Sequence, residues 1–237
     1  MLQKTNIKGP DSDIKTAKVI GIGADVAEII ADVRKFGYDK VNCLVAQSPD
    51  DCPPKETDDI VIILAQTDVQ VANTIAKAHL DAGILTVGLV KGADCRCYNC
   101  LDSGTERKDF TETIKHLLQT LVLSRQIGYD FIGLCMLLWE YRYFKAIVAD
   151  GKNIREAIEN IRKKISVDNP KHNECFLLHL YFHSESQNMV KTVGMEQLSD
   201  MISKLPDNID ANISIIRDNT LPPNTVRLSI IKLLNEA

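Results

Sequence analysis

Four short, mostly apolar runs constrain this chain most. Residues 18–22, 41–46, 60–64 and 85–89 are each too short for a helix and too predominantly apolar to keep one face wet, so they read as strands buried on both faces. Between the first two, residues 25–36 carry Val26, Ile29, Ile30 and Val33 on one helical stripe, with Gly37 as a stop signal. Between the last two, a helix over 69–81 ends at Gly83. Strands alternating with helices predict a Rossmann-like α/β unit around a parallel sheet, with ligands outside the carboxyl ends of the strands. Gly23, Gln47, Ala65 and Lys91 fall there.

The second half changes pattern. A loop over 91–109, rich in Gly, Asp and Cys, leads to a long helix over 110–125, whose Ile114, Leu117, Leu118, Leu121 and Val122 are suited to packing on the sheet. Beyond it the spacing predicts a short helix near 132–138, a strand over 141–149, a helix over 154–165, a strand over 175–182, a helix over 195–205, and strands over 212–217 and 226–233. This is a smaller α+β unit with a four-stranded sheet. Residues 218–224, with Pro222 and Pro223, read as a hairpin-like connection between the last two strands. The expected division is an N-terminal domain over 1–109, a central helix and following loop over 110–130, and a C-terminal domain over 131–237.

Charge and composition exclude some partners. A formal net charge of −4 and a pI near 5.8 argue against a nucleic-acid or anionic-membrane surface, and the one basic run, Arg162-Lys163-Lys164, ends a predicted helix, where cations suit the dipole. The first 15 residues are polar, and no stretch is long and apolar enough to span a bilayer. A cytoplasmic protein without direct membrane contact is expected. Seven cysteines, an odd number, fit reduced thiols better than a disulfide framework.

The chemistry after two of the strands is unusual. Val19-Ile20-Gly21-Ile22-Gly23 runs into a turn suited to a nucleotide site, but Ala24, Asp25, Val26, Ala27 and Glu28 follow; the strand over 60–64 runs into Ala65-Gln66-Thr67-Asp68. A helix N-terminus attracts anions through its free N–H groups and dipole, and a carboxylate of the chain fills the same role internally. Asp25 and Asp68 are therefore expected to cap their own helices. The dinucleotide fingerprint fails at its third glycine, where Val26 stands, and no acid closes the second strand to hold a ribose.

The sharpest local constellation elsewhere is Cys95-x-Cys97-x-x-Cys100, which supplies three soft ligands for zinc or a cluster, with Cys52 as a conceivable fourth. Structural thiols are the more common use of such a group, and the paired CxxC that usually marks zinc is absent. His179 and His183 sit in a strand-like segment, where residues four apart stand about 13 Å apart, so they are not a metal pair.

The order of several segments resembles the bacterial tubulin relative FtsZ. Residues 83–90, GILTVGLV, resemble its GILTVGVV segment; Asp210-Ala211-Asn212-Ile213 and the later Val226-Arg227-Leu228-Ser229-Ile230 resemble its C-terminal DANIIFG…IRVTVI; residues 18–23 resemble its opening strand and Tyr129-Asp130-Phe131 its VDFADV segment. The resemblance implies a two-domain FtsZ-like fold, a GTP or GDP site, and subunits that stack head to tail. It places vestigial nucleotide contacts at Gly21, Gly23, Gln66 and Thr67 and a vestigial catalytic carboxylate at Asp130. The family's GGGTGTG loop is replaced by Ala65-Gln66-Thr67-Asp68-Val69, and by order Gly128 and Gly133 stand where the Asn and the second Asp of the hydrolytic segment belong. The chain thus reads as a non-hydrolytic FtsZ-like structural or partner-binding protein linked to cell division or cytoskeletal assembly, acting through self-association or an FtsZ-type partner. No cofactor is expected. The alternatives are a weak GTP-binding protein or GTPase of the same family, and a zinc-stabilised binding module built on the cysteine loop.

Overall fold

The computed structural model describes residues 16–90, 107–122, 125–127, 143–165, 174–186, 193–203 and 209–234. By their contacts the described residues fall into two compact units, the first holding those up to 122 together with 143 and 144, the second holding 125–127 and those from 145 onward.

The first unit is built on strands β1 (Ala17–Ile22), β2 (Val41–Ala46), β3 (Ile60–Ala65) and β4 (Leu85–Val90), all parallel and in the order β2-β1-β3-β4. Every residue of β1, β3 and β4 is buried, as predominantly apolar runs require. Helices α1 (Ala27–Arg34) and α2 (Val69–Asp81) follow β1 and β3. Ala72, Ile75 and Ala76 of α2 pack on Ile20, Ile22, Val61, Ile63 and Ala65; each buried isoleucine contributes about 2 kcal/mol of apolar burial. Gly83, at φ 76°, closes α2 in a left-handed C-terminal turn. Its N–H bonds the Leu80 carbonyl at 2.9 Å and the Ile84 N–H bonds the His79 carbonyl at 3.0 Å, so two otherwise orphaned acceptors are satisfied.

Helix α3 (Arg107–Val122) buries Ile114, Leu117 and Leu118 and packs on α1 and β1, as its apolar spacing predicts. It ends earlier than expected. Arg125 does not continue it but opens a three-residue strand, β5 (Arg125–Ile127), paired antiparallel with β8 (Ile209–Arg217) in the second unit. Helix propensity at a chain end is a weak preference that ladder hydrogen bonds override.

The second unit contains the four long strands expected of it, β6 (Tyr143–Gly151), β7 (Glu174–Phe182), β8 and β9 (Val226–Leu234), with β5 added at one edge in the order β5-β8-β7-β9-β6. Helices α4 (Ile154–Ile165) and α5 (Val193–Ile202) cover one face, where Ile154, Ala157, Ile161 and Leu198 meet Phe176, Leu178, Leu180 and Leu228. The expected hairpin between the last two strands is not formed. β7 lies between them, parallel to β8 and antiparallel to β9, so that Arg217 and Val226 both flank Phe182. The connection spans two strand spacings, about 10 Å, which a two-residue turn cannot cover but the eight residues between Arg217 and Val226 can. It is fastened in passing, because Asp218 N–H bonds the Phe182 carbonyl at 2.9 Å and Leu221 is buried against Tyr181 and Ile216. The short helix expected near 132–138 lies outside the described residues.

Candidate functional site

The strand order fixes where a ligand would meet the first unit. From β1 the chain passes to β2 on one side and then returns to β3 on the other, so the carboxyl ends of β1 and β3 flank a topological switch point. Gly23 follows β1 there, and Gln66, Thr67 and Asp68 follow β3. Gly23 takes φ 86° and ψ 171°, a conformation open essentially to glycine alone, and its N–H bonds the Ala46 carbonyl of β2 at 3.2 Å.

Two carboxylates converge on this glycine. A Cβ built on Gly23 would lie 2.8 Å from Asp25 Oδ1 and 2.8 Å from Asp68 Oδ2. Thr67 Oγ1 stands 3.5 Å from Asp25 Oδ2 and 3.4 Å from Asp68 Oδ2, at the outer limit of hydrogen bonding. Neither acid makes the helix cap expected of it. Gly23, not Asp25, is the N-cap of the 3-10 turn Ala24–Val26 that leads into α1; Asp68 is the N-cap of α2 by position, but its side chain bonds no backbone N–H of the helix. Both carboxylates turn toward the Gly23 gap instead. The helix dipole still acts on them there, since it needs proximity and not a hydrogen bond.

The other residues of the expected site divide. Gly21 is buried within β1, and a Cβ on it would come 2.6 Å from Ile30 Cγ1 and 2.9 Å from Val26 Cγ2, so this glycine admits α1 against the sheet. Gly23, Gln66 and Thr67 are brought together at the switch point, Thr67 exposed and Gln66 half-buried. Asp130 and the cysteine group Cys95, Cys97 and Cys100 lie outside the described residues. Cys52 is buried in the core beneath β1 and α2, where burial pushes its thiol pKa up. His179 is buried in β7 with Nδ1 3.1 Å from Tyr181 Oη, whereas His183, beyond the strand, accepts the Glu185 N–H at 3.2 Å. Among the described residues no group of three His, Cys, Asp or Glu side chains is placed to hold a metal ion, and no helix is long and apolar enough to cross a membrane.

Sequence reasoning missed a charged cluster at the amino edge of the same sheet. Lys18 is buried in β1 and pairs with Asp58, just before β3, while its ammonium also reaches the Pro53 carbonyl at 3.4 Å. His79 is buried on the sheet-facing stripe of α2. The signal was present in a lysine at the head of an apolar strand and a histidine at helical spacing after Ile75 and Ala76.

The fold is similar to several solved structures. An empty FtsZ dimer from M. jannaschii superposes with a TM-score of 0.66 at 14% identity, over 92% of this chain and 88% of that one. A point-mutant FtsZ from the same organism gives 0.68 at 13% identity, over 93% and 91%. TubZ of Bacillus thuringiensis serovar israelensis, in a GTPγS-form protofilament, gives 0.54 at 11% identity, over 93% and 87%. No protein-family model and no curated protein matches the sequence.

Proposed function

We propose, from the premise that this chain has the tubulin/FtsZ fold, that it is a non-hydrolytic member of that fold, acting in cytoskeletal assembly or cell division by associating with itself or with a related filament-forming partner. The observation that carries this reading is the convergence of Asp25 and Asp68 on Gly23, at the switch point where a nucleotide's phosphates would need open backbone N–H groups. Each phosphate charge brought to roughly 5 Å from a carboxylate meets about 1–3 kcal/mol of repulsion, between the limits of water and a protein surface. Two carboxylates double that, against the ~0.3–1 kcal/mol the helix dipole offers an anion. The absence of a side chain at Gly21 is accounted for by the packing of α1.

The solved FtsZ is a dimer and the TubZ a GTPγS-form protofilament. For this chain the acidic pole favours a contact in which a neighbour supplies a cation where a phosphate would otherwise lie, and it disfavours a homotypic stack driven by GTP. The protein alone is then a monomer or small oligomer.

A thermal-shift series with GTP, GDP and divalent metals, paired with sedimentation and phosphate release, tests this. A ligand at 100 times its Kd adds about 2.7 kcal/mol, so micromolar GTP binding shifts the midpoint by several degrees at 100 µM. No shift, no turnover and no GTP-stimulated sedimentation are expected. Turnover that vanishes in Asp130→Ala would reverse the reading in favour of a GTPase; a shift with zinc alone would favour a metal-stabilised module.

A further inference from the structure

The amino edge of the first sheet holds a histidine with an unusual set of neighbours. His79, in the last turn of α2, is fully buried. Its Nδ1 lies 2.8 Å from the Ile75 carbonyl, and because a carbonyl only accepts, Nδ1 carries the hydrogen. In the neutral ring Nε2 is then a bare acceptor, and it is buried without a hydrogen-bond partner among the described residues. Its backbone is fixed as well, since its carbonyl receives the Ile84 N–H at the close of α2.

The charged groups acting on the ring come from two other elements. Lys18 on β1 opposes a second positive charge. Asp58, ahead of β3, favours one, but its carboxylate is already paired with Lys18 and also accepts the Lys55 N–H at 3.1 Å. Cys52, on the connection from β2 to β3, is kept neutral by burial, and β4 carries no titratable side chain.

We propose that His79 is an acid-operated latch: the first unit closes around the neutral ring, and a proton on Nε2, finding no acceptor beside the Lys18 ammonium, opens the end of the sheet where α2 hands over to β4. Burial pushes the ring below its ordinary value of 6.5; the Ile75 carbonyl opposes that shift, Lys18 adds to it and Asp58 opposes it. In the unfolded chain the ring takes a proton near the ordinary value, so the unfolded state binds more protons as pH falls below it. The stabilising contribution is complete above about pH 6.5 and is lost downward from there, by up to roughly tenfold in the folding constant per pH unit until the folded ring also titrates.

The test is made on the full chain. In urea unfolding between pH 7.5 and 5, the wild type is expected to lose stability with one more proton taken up than His79→Gln, a comparison in which the other histidines cancel. Histidine-selective ¹⁵N NMR of the wild type supplies a second readout that needs no variant: His79 is expected as the Nδ1–H tautomer and to remain neutral as pH falls through its ordinary value of 6.5. An Nε2–H tautomer, a His79 titration near 6.5, or an identical pH slope in His79→Gln overturns the proposal. If His79→Gln does not fold, the tautomer and the titration decide alone.

Discussion

Gly21→Ala separates the packing role of the first glycine from a role in binding a nucleotide. The added methyl would sit 2.6 Å from Ile30 Cγ1, 2.9 Å from Val26 Cγ2 and 3.2 Å from Ile30 Cδ1. Both neighbours are fully buried, on α1 and the turn that leads to it, so neither can swing into solvent. Overpacking a tight core costs about 1–3 kcal/mol, and contacts below the van der Waals limit on two sides put this variant at the upper end, about 2–3 kcal/mol. At about 2–4 °C per kcal/mol for a chain of this size, the melting midpoint falls by roughly 4–12 °C without any ligand present. Ile30→Ala alone costs about 2–5 kcal/mol as a cavity, but combined with Gly21→Ala the new methyl enters the space vacated. The double variant should therefore be less destabilised than the sum by about 1–2 kcal/mol, well above the ~0.3–0.5 kcal/mol scatter of independent sites. Urea unfolding of the four proteins gives the coupling directly. A Gly21→Ala loss under about 0.5 kcal/mol, or strict additivity with Ile30→Ala, would falsify the packing account.

Asp58→Ala strands the buried Lys18 ammonium and should cost about 3–5 kcal/mol in urea unfolding at pH 7, with Lys18→Met in the same background recovering part of the loss. Asn153→Ala removes the Oδ1 acceptor that holds the Glu156 N–H at 2.9 Å in the first turn of α4, a loss of about 1 kcal/mol confined to the second unit. The Asp51 carboxylate accepts the Gln47 and Ser48 N–H groups, each at 2.8 Å, and these hold it below its ordinary 3.8. The amide resonances of Gln47 and Ser48 should accordingly stay fixed above that pH and move only as it falls further, while in Asp51→Asn they should show no such transition.

Strands β1, β3 and β4 were legible because burial on both faces leaves a run of apolar residues, and α2 was bounded correctly because Gly83 supplies the left-handed turn its end requires; β2, at the edge of the sheet with only Ala46 buried, is a strand as expected but is not covered on both faces. The hairpin between β8 and β9 was misread for a related reason: sequence reports where a chain turns, and nothing in Asp218 or Pro222 says which strand lies between the two ends. At the switch point the acids were recognised as unusual, but their roles as caps were not borne out. A cap depends on where a side chain turns after the backbone is set, and the Gly23 gap lies across two loops that only the assembled sheet brings together. The Lys18–Asp58 pair escaped notice for the same cause, since its members stand 40 residues apart.

The placement of β7 between β8 and β9 bears on how the protein is made. Among the described residues the four strands of the first sheet lie within residues 17–90, so that they can pair while much of the chain is still to be synthesised. The second sheet has no such early option, because β6, the first of its long strands to be synthesised, has β9, the last, as its neighbour in the sheet. Until β9 emerges, β6 has no partner in the sheet and β7 is paired only on its β8 side. Stalled or truncated synthesis products that stop short of β9 would therefore carry a folded first unit joined to an open, adhesive sheet, a species for chaperones to shield and proteases to clear.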